Sequence, residues 1–378
     1  MLNKHMPTDQ ERDRRYTALR KTMESHGYDV LLLAGNAEAM QRGYVRYVSN
    51  WRLWGGKGFA IFPRRNDPSL VLGAGSQSYW SGRVSWIRNV HPTQDMIRTV
   101  ADVLSEQIKP TGRVGIAGMD HVMTYGDMQR LAQLMPEAEF MDATDSVDAV
   151  MAIKSAEELT MMAETSRYIA EAQDVLKATF APGLTEREVM AKAVEHLALR
   201  GCHDGIAHLS TGVKPYFRPP TDRVIEEDDA INVSLEFSGP DGYWIELAGV
   251  YSFREPSARR KRYFDTSLNA IEEVKKMLRP GVTGGDVTRT IEAVFAEEGW
   301  DVTERGIWDG HAIGLNVIRP PYGLIENTDV FQEDMVFNVH PGLMVDEDRL
   351  GMFLQDNLIV TPEGGKPLIE YPYVWHVL

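Results

Sequence analysis

The chain has 378 residues, 43% of them hydrophobic and 25% charged, the make-up of a folded protein with two domains or one large subdivided one. Its 55 acidic and 40 basic side chains leave a formal charge of −15, which argues against a nucleic-acid surface and against docking on an anionic membrane. No stretch approaches the ~18–20 apolar residues of a spanning helix. No secretory leader is expected from a start as charged as Glu11-Arg12-Asp13-Arg14-Arg15, and Cys202, the single cysteine, excludes an intrachain disulfide or a multi-thiolate metal site. The expectation is a cytoplasmic protein.

Over the first 150 residues, short apolar runs at Asp29–Gly35, Phe59–Pro63, Ser69–Gly73 and Arg113–Gly118 end at turn residues and read as buried strands. Between them Ile97, Val100, Val103, Leu104 and Ile108 recur at helical spacing. Strands alternating with helices predict an α/β layer. A boundary falls near Met151: Ser155 and Glu158 form a capping-box pattern for a helix to about Thr179, and Pro182-Gly183 stops it. PGLTEREVMAKAVEHLALRG from Pro182 is echoed by PGVTGGDVTRTIEAVFAEEG from Pro280. Each reads Pro-Gly-apolar-Thr, helix, Gly, and strand-like sequence follows. This predicts a duplicated αβ unit whose halves enclose a cleft.

After the first copy, DDAINVSLEFSGPDGYWIELAGVYSF reads as two strands joined at Gly239-Pro240-Asp241-Gly242. Alternation puts Ser234 and Glu236 on one face, with Glu246 facing them from the returning strand. A solvated face is the plainer reading for each acidic residue taken singly. His311 lies between glycines in an apolar setting, His340 ends an apolar strand before Pro-Gly, and Gln355-Asp356 interrupt another apolar run. A hydrogen-bonded core residue is the plainer reading of either histidine alone. Cys202 and His203 are adjacent and face opposite sides of a strand, so Cys202 is read as packing.

Taken in order, these pieces resemble the pita-bread superfamily of methionine aminopeptidase, proline-specific peptidases and creatinase. The matching pieces are MAIKSAEEL, the Pro-Gly-apolar-Thr-Glu helix start, Ser210–Gly212, Pro219–Arg223, the DGYW hairpin, GHAIGL, FNVHPG and QDNLIVTPEGG. The resemblance implies an α/β (α+β) fold, with a creatinase/prolidase-like N-terminal domain over 1–150 and a pita-bread domain with pseudo-two-fold αβ duplication over 151–378. Peptidases of this family hold two divalent ions with Asp, Asp, His, Glu and Glu. Carried over, those positions become Ser234, Glu246, His311, His340 and Gln355. The second catalytic histidine becomes Ile318, and the histidine before the Pro-x-Thr segment becomes Phe217. One carboxylate, or two with Glu236, leaves two buried cations far from neutral, which costs several kcal/mol per ion. A dinuclear peptidase centre is therefore not expected.

What the resemblance then implies is a metal-free, creatinase-like hydrolase of a C–N bond (amide or amidine type) in a small nitrogenous metabolite. Its acid–base groups are His311, His340, Glu246 and Glu236. Ser234, Phe217, Arg319, Tyr322 and Gln355 are expected to touch the substrate, joined by Trp54 and Lys57 from the loop NWRLWGGKGF. A homodimer with sites near the subunit interface is implied. Three alternatives stay open: a mononuclear hydrolase or C–S/C–N lyase with one divalent ion on Glu246, His311 and His340; an Xaa-Pro-type metallopeptidase; and a non-catalytic binding module. Replacement of the ligands by side chains that still do chemistry favours an enzyme.

Overall fold

The computed structural model describes residues 6–38, 41, 43–212, 217–302, 308–342 and 353–378. It divides into two compact units, Met1–Ala152 and Ile153–Leu378. The first unit runs α1 (Asp9–His26), β1 (Val30–Asn36), α2 (Gly43–Ser49), β2 (Lys57–Pro63), β3 (Ser69–Gly73), α3 (Ser76–Val84), β4 (Asn89–Thr93), α4 (Met96–Gln107), β5 (Arg113–Ala117), α5 (Tyr125–Leu134), β6 (Glu139–Asp142) and α6 (Thr144–Ala152). Its six strands form one mixed sheet in the order β4-β3-β2-β1-β5-β6. The four apolar runs are its buried centre. The edges β4 and β6 (NVHPT and EFMD) are short and only partly buried, so they carry no apolar run for a sequence reading to find. On one face Val30, Leu32, Ala34, Phe59, Ile61, Val71, Val114 and Ile116 alternate inward against Ile97, Val100, Val103 and Leu104 of α4, which is how period-2 and period-3.6 patterns share one core.

The second unit runs α7 (Ala156–Thr179), α8 (Glu186–Leu199), β7 (Asp204–Gly212), β8 (Ala230–Ser238), β9 (Trp244–Ser252), α9 (Ala258–Met277), α10 (Gly284–Glu297), β10 (Gly310–Ala312), β11 (Arg319–Tyr322), β12 (Val336–Val339), β13 (Asp356–Thr361), β14 (Gly364–Pro367) and β15 (Trp375–Val377). Helix α7 starts at the Ser155–Glu158 capping box and ends at Thr179, as its sequence predicts. The strands make two sheets, β15-β9-β8-β7 and β11-β10-β12-β13-β14.

The duplication is present down to its caps. Thr185 with Glu188, and Thr283 with Asp286, close matching capping boxes. Gly183 and Gly281 both hold φ at 96°, a region closed to most side chains, and so permit the same tight entry. Thr185 bridges to Val224 and Thr283 to Val330, so each helix start is stitched to the chain at the same place. No helix among the described residues is long and apolar enough to cross a membrane.

Candidate functional site

The hairpin β8–β9 carries the first half of the site. Its register sets Glu236 directly opposite Glu246, with Ser234 opposite Ala248. Every residue of both strands is buried, so the solvated face expected for single acidic residues is not what forms. The second sheet covers it: the side-chain amides of Asn338 and Asn357 donate to the Glu246 carbonyl at 3.4 and 2.7 Å. Opposed carboxylates in a dry strand pair are destabilising unless something intervenes. Gln355 does so. Its Nε2 donates to Glu246 Oε2 at 2.9 Å and to Glu236 Oε1 at 3.3 Å. Ser234 Oγ lies 2.9 Å from Glu236 Oε1 and 2.8 Å from Gln355 Oε1, and gives its one hydrogen to either. Neither glutamate has a lysine or arginine partner among the described residues.

These surroundings set the protonation states. Burial pushes Glu236 up to about 7, against the hydrogen bonds from Ser234 and Gln355 that pull it down. Burial, then the facing Glu236, holds Glu246 well above the carboxylate range. The pair keeps a proton near neutrality.

His311 and His340 enter from β10 and the end of β12. Each is buried, and their rings sit 5.4 Å apart at 62°. His311 Nδ1 faces the Ala312 carbonyl at 3.3 Å; a carbonyl only accepts, so Nδ1 carries the hydrogen and the Nε2 lone pair faces Glu246 Oε1 at 3.5 Å. His340 Nδ1 has no hydrogen-bond partner among the described residues. Burial lowers His311 to about 4 and, with His311 beside it, His340 to about 3, so both rings are neutral.

The donor atoms of Glu246, His311 and His340 lie within 4.8 Å of one another. Neutral imidazoles with free lone pairs and a buried carboxyl fit one divalent ion in a two-His-one-carboxylate set, with small closing movements. The convergence gives no support to the expectation of a site without metal. A second ion fits poorly, because two carboxyls do not neutralise four positive charges and the Gln355 amide already donates to one oxygen of each.

Around this floor the remaining expected residues divide. Arg319 and Tyr322 lie on β11, with Tyr322 paired to His311 and its ring stacked on Trp308 at 6.0 Å and 12°. Phe217 contacts Phe353 at 5.0 Å, and Phe353 lies 5.2 Å from His340. Trp54 and Lys57 belong to the first unit: Trp54 is 49% exposed against Trp51, and Lys57 is taken up by an ion pair with Asp127. Cys202 is buried and its thiol is pushed up to about 12, in keeping with packing.

Sequence reasoning missed His208. On β7 it pairs with Ser234, its Nδ1 is 3.9 Å from Glu236 Oε1, and its ring meets Phe217 at 3.6 Å. Burial lowers it to about 4. The position before the Pro-x-Thr segment holds Phe217 rather than a histidine, and only the two-residue alternation of β7 points to His208.

Residues 15–153 match the Creatinase/Prolidase N-terminal domain model. The chain is similar to the uncharacterized peptidase YqhT of Bacillus subtilis, with 22% identity over 94% of this chain and 97% of that one. It is also similar to the ectoine hydrolase of Halomonas elongata, 23% identical over 98% of both chains. The X-Pro aminopeptidase structure from Thermotoga maritima shares the fold with a TM-score of 0.85 at 20% identity, over 96% of this chain and 99% of that one. Residues 160–362, which hold every buried group just described, match the model of metallopeptidase family M24, and the chain belongs to that family.

Proposed function

We propose that the chain is a hydrolase of a non-peptide C–N bond in a small metabolite. The observation that carries this is the Gln355 amide set between Glu236 and Glu246. A side chain that donates to both carboxyls makes a proton-holding pair where a peptidase needs anionic ligands for two ions. Similarity to an ectoine hydrolase along the whole chain supports the reading.

The chain's own groups can then divide the work. A proton held on the Glu236–Glu246 pair stands ready for the departing nitrogen, with Glu236 placed near neutral pH where such transfer is effective. His340, a neutral imidazole whose Nδ1 has no partner among the described residues, can hydrogen-bond and orient the attacking water, whose proton passes to the carboxyl pair as the pair's own proton goes to the departing nitrogen. Ser234 and Gln355 hold the carboxyls in register, and Phe217, Arg319 and Tyr322 are assigned to the substrate's flanks. If one divalent ion is bound, Glu246, His311 and His340 hold it, and it supplies an acidified water. The assay is release of amine or ammonia from a panel of cyclic amides, amidines and ureas, set against Xaa-Pro dipeptides, with and without chelator. Turnover of the dipeptides alone would overturn the proposal.

A further inference from the structure

Glu186 stands outside the groups assigned to the reaction, yet it is fully buried and its carboxylate is saturated with donors. Oε1 accepts from the Thr211 amide at 2.9 Å, the Thr211 hydroxyl at 2.8 Å and Arg218 Nη2 at 2.7 Å. Oε2 accepts from Arg218 Nη1 at 2.7 Å and from the Thr221 amide and hydroxyl, both at 2.8 Å. One side chain at the start of α8 therefore grips both ends of the connection that leaves β7, and the Leu209 amide adds a bond to the Arg218 carbonyl at 3.2 Å. Phe217, next to Arg218, is thereby delivered onto His208, whose Nδ1 lies 3.9 Å from Glu236 Oε1.

The internal duplicate shows that the fold does not itself require this carboxylate. The position matching Glu186 in the second copy is Gly284, where a Cβ would fall 2.0 Å from the Tyr322 carbonyl and 2.4 Å from Asn327 Oδ1. There backbone closes directly on the helix start, and the Thr283–Val330 bridge forms as Thr185–Val224 does in the first copy. Only the copy that presents Phe217 and His208 inserts a charged wedge.

We infer that Glu186 is a positioning residue of the site. Through its fork with Arg218 and its four bonds to Thr211 and Thr221, it fixes Phe217 over the His208 imidazole and so sets the flank of the site beside Glu236. The inference rests on the reading that this flank borders the reacting centre. Its first test needs no substrate.

The test is carbethoxylation of His208 by diethyl pyrocarbonate, followed residue by residue with mass spectrometry on the intact, folded chain. In the parent His208 should react slowly beneath Phe217. In Glu186→Gln, whose amide sets a donor against donors, and in Arg218→Lys, which keeps the charge but loses the fork, His208 should react several-fold faster well below Tm. Phe217→Leu should expose it with the clamp intact. Where turnover is measurable, kcat/KM of Glu186→Gln should fall by about 10- to 100-fold, the usual effect of removing a group that orients site residues. If Glu186→Gln does not fold, Arg218→Lys decides. A lower Tm with His208 as slow as in the parent makes the clamp purely structural and overturns the inference. Absence of turnover in the parent would count against the proposed hydrolysis and leave the reactivity result standing.

Discussion

Replacing Glu236 by glutamine isolates what the carboxyl pair contributes. The amide has the shape of the carboxyl and keeps an oxygen for Ser234 and Gln355, so packing is conserved. In the parent, burial lifts Glu236 from 4.5 to about 7. A pKa raised on folding means that the native chain binds the proton more tightly. The stability from this group is present below about pH 4.5 and is lost as pH rises through about 7. At ~1.4 kcal/mol per unit the shift corresponds to roughly 3 kcal/mol, or about 5–10 °C in Tm for a domain of a few hundred residues. Glutamine has no proton to lose. In the presence of chelator, Glu236→Gln should therefore match the parent near pH 4.5 and melt higher than it above pH 7, while turnover falls by roughly 10²- to 10⁴-fold. Calorimetric melting of both proteins across this range, with rates on the same preparations, measures the two effects together. A Tm gap that does not change with pH, or a variant less stable than the parent at high pH, refutes the reasoning. Glu236 would then be ionised against a cation rather than holding a proton.

His340→Ala should fold and lose activity by roughly 10²- to 10⁴-fold; an unchanged rate removes His340 from the chemistry. Elemental analysis of purified protein should find at most one divalent ion per chain, and two stoichiometric ions that leave with activity on chelation would contradict the charge argument. Burial would raise Glu186, but the hydrogen bonds from Arg218, Thr211 and Thr221 outweigh it and hold its carboxyl at about 2. A pKa lowered on folding gives stability above about 4.5 that is lost as pH falls through about 2, so the deficit of Glu186→Gln against the parent should shrink in acid, and a constant deficit would refute this. A homodimer with shared sites predicts that mixing Trp54→Ala with His311→Ala restores activity, and a monomer in light scattering at micromolar concentration would rule it out.

The sequence was most legible where local rules and burial agree. The capping boxes at Ser155 and Thr185 fix helix starts through bonds three residues long, so four-residue patterns mark them, and the Pro-Gly-apolar-Thr echo marks the matching start at Thr283. The same holds for β8 and β9, whose alternation alone puts Glu236 and Glu246 on facing sides. What alternation does not carry is the medium. Whether that face meets water depends on β12 and β13 folding across it from a hundred residues away, and they bury it completely. Strands β4 and β6 escaped notice because pairing with a neighbour, not their own hydrophobicity, makes them strands. His208 escaped because its importance lies in a cross-strand partner, Ser234, that is itself a departure from the family pattern. In the sequence Glu186 is one more acidic residue in the first turn of a helix; its six bonds come from three residues on another segment.

The departures from a peptidase centre compensate one another. Serine at 234, glutamine at 355 and histidine at 340 each remove an expected negative charge, and the one carboxyl that survives, Glu246, is placed face to face with Glu236 in a dry sheet. Had the site merely decayed, one would expect apolar side chains here, since filling a buried site with hydrophobic groups is often neutral or stabilising. Instead each replacement is a donor or a neutral base aimed at a carboxyl or at its neighbour. Gln355 touches both glutamates and Ser234 reaches Gln355 and Glu236. The His311 lone pair faces Glu246. Retaining so costly a constellation under full burial is what strain and desolvation at a working site look like. The rate of Glu236→Gln reads this directly, because removing a buried carboxyl stabilises a working and a decayed site alike above pH 7, and only the working site loses turnover with it.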